Sequence, residues 1–255
     1  MKQRILTGVI FGIVVITMMF AHDLSRLVLL ILIPILAGYE YLKISGAAIL
    51  EIVCALIICI GFYFALDQLM NFDNQYLLMG VVTVNIILAI NLFVDPAFIK
   101  HQKSRLAISV VYIGLPFVYA IYHGFHDEPT TLVTMMALIW ISDSGAYFVG
   151  SQIGKRKLFP RISPGKTWEG FLGAGMLCCL SAYFIFSALG YADFGSSIRF
   201  ALIVWLAGTI GDLIASQVKR LNKVKDSSNI LPGHGGFYDR FDSLIYALPF
   251  VFLFG

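Results

Sequence analysis

Most charged positions in this chain fall in islands between nine apolar stretches, at approximately 5–21, 27–42, 47–66, 76–94, 106–122, 130–149, 171–191, 198–215 and 243–254. Within each stretch the apolar residues fall on every side rather than on alternate positions. The pattern therefore predicts helices, not barrel strands, which would alternate over about 10 residues. A helix needs about 20 residues, within a range of about 17–25, to cross the hydrocarbon of a bilayer. The stretches at 27–42 and 243–254 are short, and tilt or an end lying at the interface accommodates them. The expected fold is all-α: a polytopic transmembrane bundle of about nine spans. An N-terminal set of spans (1–105) is followed by a second part (106–255) carrying two long polar loops, at about 150–170 and 216–242.

Composition agrees with the pattern. The chain is 59% hydrophobic and 13% charged, with a mean hydropathy of +0.85. Soluble domains carry about 25% charged residues, so this much apolar surface needs lipid as its solvent. A net charge of +3 is too small to point to nucleic acid. With the N-terminus in the cytosol, only Arg26 and Arg199 of the 18 lysines and arginines fall outside, and the other sixteen fall inside. That asymmetry supports both the sidedness and the number of spans, and it puts both long loops in the cytosol. Met1 to Arg4 followed by Ile5 to Ala21 has the look of a signal peptide, but no small-residue cleavage site is evident, and it reads as the first span. Cys54, Cys59, Cys178 and Cys179 all sit in apolar stretches without nearby histidines, so they read as small hydrophobes rather than zinc ligands.

The acids within or beside spans change the picture most. They are Glu40, Glu51, Asp143, Asp212, Asp239 and Asp242, all in the cytosolic half on this topology. A carboxylate at the bilayer centre costs about 2.5–3.5 kcal/mol on insertion scales, so each needs a partner or a role. Glu40 and Glu51 read as interfacial charges near helix ends, whereas Asp143 and Asp212 lie deeper. Asp212, Ser216, Lys219 and Arg220 recur at helical spacing, as do Asp239, Asp242, Ser243 and Tyr246. Two such columns facing each other suit a divalent metal and a triphosphate, since hard cations take oxygen ligands. Between them Pro232-Gly233-His234-Gly235-Gly236 forms a Gly-rich turn that would let backbone N–H groups approach phosphate oxygens. Within it His234 would bind phosphate, act as an acid or serve the structure of the turn. The other long loop holds Asp143-Ser144-Gly145-Ala146, the basic run Lys155-Arg156-Lys157, and Ser163-Pro164-Gly165-Lys166-Thr167-Trp168-Glu169-Gly170. Ser163-Pro164 reads as a helix start, which with Lys166 and Thr167 would make an anion site. It is not a P-loop, because Pro160 stands where that motif needs glycine. The basic run reads first as a topology anchor, and Trp168 as an interfacial aromatic.

The stretch from Ser216 through Lys219-Arg220, Lys225-Asp226, Pro232 to Gly236, Asp239-Arg240 and Asp242-Ser243 resembles the signature of the phosphatidate cytidylyltransferases, or CDP-diacylglycerol synthases. The segment from Ser163 to Gly170 resembles a second family segment, and Asp143-Ser144-Gly145-Ala146 a third. The resemblance implies transfer of the cytidylyl group of CTP to phosphatidate in a bacterial-type inner or cell membrane, with the active site facing the cytosol and 106–255 as its catalytic part. On this reading Asp212, Asp239, Lys219 and Arg220 are catalytic. Ser163, Lys166, Thr167, Ser216, Lys225, Gly233, His234, Gly235, Gly236 and Arg240 bind substrate. Asp212 and Asp239 hold Mg2+, with Asp143 and Asp242 the next candidates, and a second cation is allowed for. CTP, phosphatidate and membrane lipid are the partners, nucleic acid is not one, and a homodimer is left open. The rivals are a CTP-dependent lipid kinase of the dolichol-kinase type and a membrane transporter. A transporter would spread its acids along a path through the bilayer, and these crowd one face.

Overall fold

The computed structural model describes residues 2–68, 75–93, 104–124, 129–190, 193–231 and 235–254. Among them the chain forms nine helical rods and one small hairpin. The rods are α1 (Lys2–Ala21), α2 (Asp23–Ile44), α3 (Ile49–Gln68), α4 (Gln75–Phe93), α5 (104–124), α6 (Thr130–Ile153), α7 (Trp168–Ala188), α8 (Phe194–Leu221) and α9 (Phe237–Phe254). Strands β1 (Lys157–Phe159) and β2 (Ser163–Thr167) lie between α6 and α7 and pair antiparallel, Lys157 opposite Thr167 and Phe159 opposite Ser163.

Six of the rods are long and apolar enough to cross a membrane: α2, α4 over Tyr76–Phe93, α5 over Ser104–Tyr122, α6, α7 and α8. Gly8–Ala21 and Ile49–Ala65 are shorter apolar helices. The ninth rod, α9, carries Asp239, Arg240 and Asp242 in its first two turns. Of the six, α5 is the most enclosed, with 83% of its span buried. It is wound partly as π-helix, over Ile108–Gly114 and Ala120–Gly124. The first of these runs leads into Pro116, which has no N–H and crowds the carbonyl four residues back, and there the Leu115 N–H bonds the Val110 carbonyl five residues back.

Local chemistry explains where the other rods begin. His22 Nδ1 accepts the Leu24 N–H at the start of α2, and the Asp193 carboxylate accepts those of Gly195 and Ser196 at the start of α8. Packing runs α6 on α7, α7 on α8 and α8 on α9, and α9 closes back onto α2. Trp205 of α8 stacks on Phe171 of α7 at 4.4 Å and donates its indole N–H to the Phe171 carbonyl at 3.0 Å. Helices α8 and α9 come close where Gly211 meets Asp242 and Tyr246; a Cβ there would lie 2.6 Å from the Asp242 carbonyl oxygen.

Two expectations need correction. Ser163-Pro164 does not start a helix. Residues 163–167 are committed to the hairpin, and Thr167 is the cap, its Oγ1 accepting the Gly170 N–H at 3.2 Å. The better-capped start, one turn later, wins. The polar stretch at 216–242 is also less of a loop than expected, because α8 continues to Leu221 and α9 already begins at Phe237. Its charged residues are held on helices at both ends.

Candidate active site

Three segments converge at one end of the bundle: the C-terminal turns of α8, the first turns of α9, and the hairpin that follows α6. On α8, Asp212 is half-buried, and Ser216 and Lys219, one and two turns further on, are buried. On α9, the side chain of Asp239 and the whole of Asp242 are buried. From β2, Lys166 reaches across to form an ion pair with Asp212. Asp143 of α6 is exposed at the surface and acts electrostatically on Lys166, as does Asp242. Burial works against the charge on Lys166, but the carboxylates of Asp212, Asp143 and Asp242 outweigh it and hold the ammonium pKa above the ordinary lysine value.

The second pair is tighter. Lys219 Nζ lies 2.5 Å from Asp239 Oδ1. Asp239 Oδ2 accepts the Ser227 N–H at 2.8 Å and the Gly236 N–H at 3.0 Å, and the Ser227 hydroxyl lies 2.9 Å from it. Two points of the connection between α8 and α9, Ser227 within it and Gly236 at its end, are thus tied to one carboxylate oxygen. Leu231 and Gly235 close the same loop with a backbone bond of 2.9 Å. Gly233 and His234 lie outside the described residues.

Not every residue expected at the site is brought to the cluster. Arg220 is exposed and donates to the Val224 carbonyl at 3.1 Å, closing the end of α8. Lys225 is exposed on the loop, and Ser163 lies at the turn end of the hairpin, opposite Phe159. Thr167 is buried at the start of α7. Arg240 is exposed and within electrostatic reach of Asp143. Glu169 accepts the backbone N–H groups of Lys155 and Arg156, which anchors the basic run at the base of the hairpin.

The reading of Glu40 is overturned. It is not an interfacial charge: it is 1% exposed. Its carboxylate accepts the hydroxyls of Ser227 and Ser228 and the N–H groups of Phe237 and Tyr238, at 2.6–3.1 Å. A carboxylate near the end of an apolar helix was the available signal, but its partners lie nearly two hundred residues away in sequence. Glu51, in contrast, does find a charge near its helix end: Arg105, bound through both carboxylate oxygens at 2.9–3.1 Å.

The oxygen donors suit a hard cation. Asp143, Asp212, Asp239 and Asp242 supply carboxylates, and the buried hydroxyls of Tyr112 and Tyr238, within electrostatic reach of Asp242, have no hydrogen-bond partner among the described residues. Among the described residues no three acidic, histidine or cysteine side chains form a ready-made metal cage. Magnesium commonly uses one or two carboxylates and takes the rest from substrate phosphates and water, so the set fits it. Alternating carboxylates and lysines, some half-open, at the end of an apolar bundle can bind a polyphosphate beside a lipid.

These features define an integral membrane protein with a cluster of paired lysines and carboxylates at one end of its helices. The chain belongs to the cytidylyltransferase family, whose model matches residues 2–255. Among its relatives, the phosphatidate cytidylyltransferase of Bacillus subtilis is 34% identical over 99% of this chain and 96% of its own length. The enzymes of that name from Staphylococcus haemolyticus and Staphylococcus aureus are 33% and 32% identical, each over 98% of this chain and 96% of their own.

Proposed function

We propose that the chain transfers the cytidylyl group of CTP to phosphatidate, giving CDP-diacylglycerol and pyrophosphate, at the site built by Asp212, Asp239, Lys166 and Lys219. The observation that carries this reading is the pairing of the two lysines with the two carboxylates at one end of an apolar bundle, in a chain of this family. An oxygen of the phosphatidate phosphate attacks the α-phosphorus of CTP, the bond from that phosphorus to the bridging oxygen breaks, and pyrophosphate leaves with the electron pair. A phosphate monoester has a second pKa of about 6, so the nucleophile is already ionised at neutral pH and the site needs no strong base. Catalysis then rests on positioning and on neutralising charge. Lys166 and Lys219 face the leaving pyrophosphate, and Lys225 and Arg240, exposed around the same end, add positive field. Ser163, Ser216 and the glycines of the loop complete the phosphate contacts. Asp212 and Asp239 would hold magnesium, with Asp143 and Asp242 beside them for a second cation; magnesium bound there supplies charge neutralisation at the α-phosphate.

CTP labelled at the α-phosphate, supplied with phosphatidate and magnesium to the detergent-solubilised protein, should leave its label in the lipid. A lipid kinase would transfer only the γ-phosphate. The proposed topology has all nine rods crossing the membrane, with the N-terminus and the site in the cytosol and the C-terminus outside. A reporter fused after Gly255 should therefore be silent in the cytosol, and a cytosolic signal there would remove the nine-span arrangement.

A further inference from the structure

We propose that Glu40, on α2, is a positioning residue for Asp239, acting through Ser227. The proposal rests on the cytidylyl-transfer reading of the site.

Glu40 comes from the N-terminal spans, yet its carboxylate is filled from the loop between α8 and α9 and from the start of α9. Oε1 accepts the Ser228 hydroxyl at 2.6 Å and the Phe237 N–H at 3.1 Å. Oε2 accepts the Ser227 hydroxyl at 2.7 Å and the Tyr238 N–H at 2.9 Å. An ionised carboxylate only accepts, at about four lone-pair positions, and here four donors meet it. Two of them are N-terminal amides of α9, where the helix leaves N–H groups unpaired and favours negative charge. Gly236 seals the arrangement, since a Cβ at that position would overlap both Glu40 Oε2 and Ser227 Oγ.

Ser227 joins this clamp to the reacting end of the molecule. Its hydroxyl lies between Glu40 Oε2 and Asp239 Oδ2, one proton between two carboxylates, and its N–H binds Asp239 as well. The Gly236 N–H, at the far end of the loop, binds the same Asp239 oxygen. With Oδ2 fixed in this way, Asp239 presents Oδ1 to Lys219. The orientation of Asp239 is thus set by Ser227, which Glu40 binds directly, and by Gly236, whose neighbours Phe237 and Tyr238 it binds.

Glu40→Gln tests this, because the amide must turn its NH2 toward one hydroxyl and one N–H whichever way it flips. Glu40→Gln, Ser227→Ala and the double variant are compared with the wild type in transfer of α-labelled CTP, with kcat, the KM for CTP and the KM for phosphatidate measured separately. Thermal melting in detergent is recorded alongside, and Glu51→Gln, which breaks the ion pair with Arg105, serves as the control. Wild-type transfer in the same preparation tests the activity itself, separately from the contact. Glu40→Gln should lower kcat on the order of 100-fold and raise the KM for CTP, with the KM for phosphatidate unchanged. Ser227→Ala should lower kcat roughly tenfold, with melting close to wild type. The double variant should be no worse than Glu40→Gln alone, because both changes cut the same chain of contacts. Glu51→Gln should shift melting and leave kcat and both KM values alone. Wild-type kcat and KM in Glu40→Gln with lowered melting would make Glu40 a fold staple only and overturn the proposal, and so would losses that multiply in the double variant. If Glu40→Gln does not insert, Ser227→Ala decides alone: a kinetic loss at unchanged melting upholds the proposal and wild-type kinetics overturns it.

Discussion

The two lysine–carboxylate pairs look alike on paper and are built differently. Lys166 reaches Asp212 from a two-stranded hairpin, and the two side chains keep 23% and 29% of their exposure. Lys219 meets Asp239 between the ends of two packed helices, with 9% and 4% left. Asp239 also receives donors from Ser227 and Gly236, whereas the Lys166 partner of Asp212 is carried by a small two-stranded hairpin. On the proposed reading the first pair opens to admit a phosphate in place of a carboxylate. The second is part of the frame that holds the loop, and its opening would disturb the start of α9.

Removing a carboxylate gives the largest effect on either side. Asp212→Asn and Asp239→Asn should each lower turnover by about a thousandfold or more, since each removes charge that catalysis uses. The two should separate in melting temperature: Asp239→Asn loosens the loop and melts lower, while Asp212→Asn melts close to wild type. Near-normal turnover in either variant would move the metal to Asp143 and Asp242. Equal melting of the two would erase the distinction between an opening pair and a framing pair.

Replacing the lysines sharpens the same contrast. Lys219→Ala leaves Asp239 charged and buried without its partner, which costs about 3–5 kcal/mol when a buried pair is broken. Lys166→Ala breaks a half-open pair and should cost about 1 kcal/mol or less. Its turnover should nevertheless fall on the order of 100-fold, because a preorganised cation is lost from the reacting phosphates. Denaturant midpoints and initial rates on the same two preparations check this. A destabilised but active Lys166→Ala would reverse the roles assigned here.

Much of this was readable in the chain. The nine apolar stretches correspond one for one to the nine rods, because all-round apolarity over such lengths leaves the backbone few alternatives to a helix. The acids that meet at the site were visible as carboxylates in apolar surroundings, and Lys166 and Lys219 as cations at helix and loop positions beside them. What escaped was pairing across long sequence separations. Helical spacing placed Lys219 on the face of Asp212, but tertiary packing gave each of them a different partner. Glu40 had a plausible local reading, a charge at a helix end, that was wrong because nothing near it in sequence reveals Ser227 or the amides of α9. Ser163-Pro164 failed for a more local reason: Thr167 offers a better cap four residues on, and the intervening residues pair with β1.

The smallest effect is expected at Arg220, and it bears on the comparison through its neighbour. Lys219 and Arg220 are adjacent, so on a helix they point about a quarter-turn or more apart. Lys219 turns inward to Asp239, while Arg220 turns outward and gives an N–H to the Val224 carbonyl at 3.1 Å. A guanidinium in that position closes the C-terminal end of α8, where unpaired carbonyls and the helix dipole favour a cation. Lysine at 220 keeps the charge and loses the planar fork, whereas alanine loses both. If Arg220 serves the helix end, Arg220→Lys should be close to wild type in turnover and in the KM for CTP, and Arg220→Ala should cost about 0.3–1 kcal/mol of stability with at most a few-fold loss of rate. If instead the side chain swings in to grip the pyrophosphate in the loaded enzyme, both variants should raise the KM for CTP, and lysine should rescue only part of what alanine loses, because a point charge cannot replace paired hydrogen bonds. Steady-state kinetics of the two variants over a range of CTP concentrations separates these outcomes, and a large loss in Arg220→Lys would place Arg220 with Lys219 in the reacting frame rather than at the end of the helix.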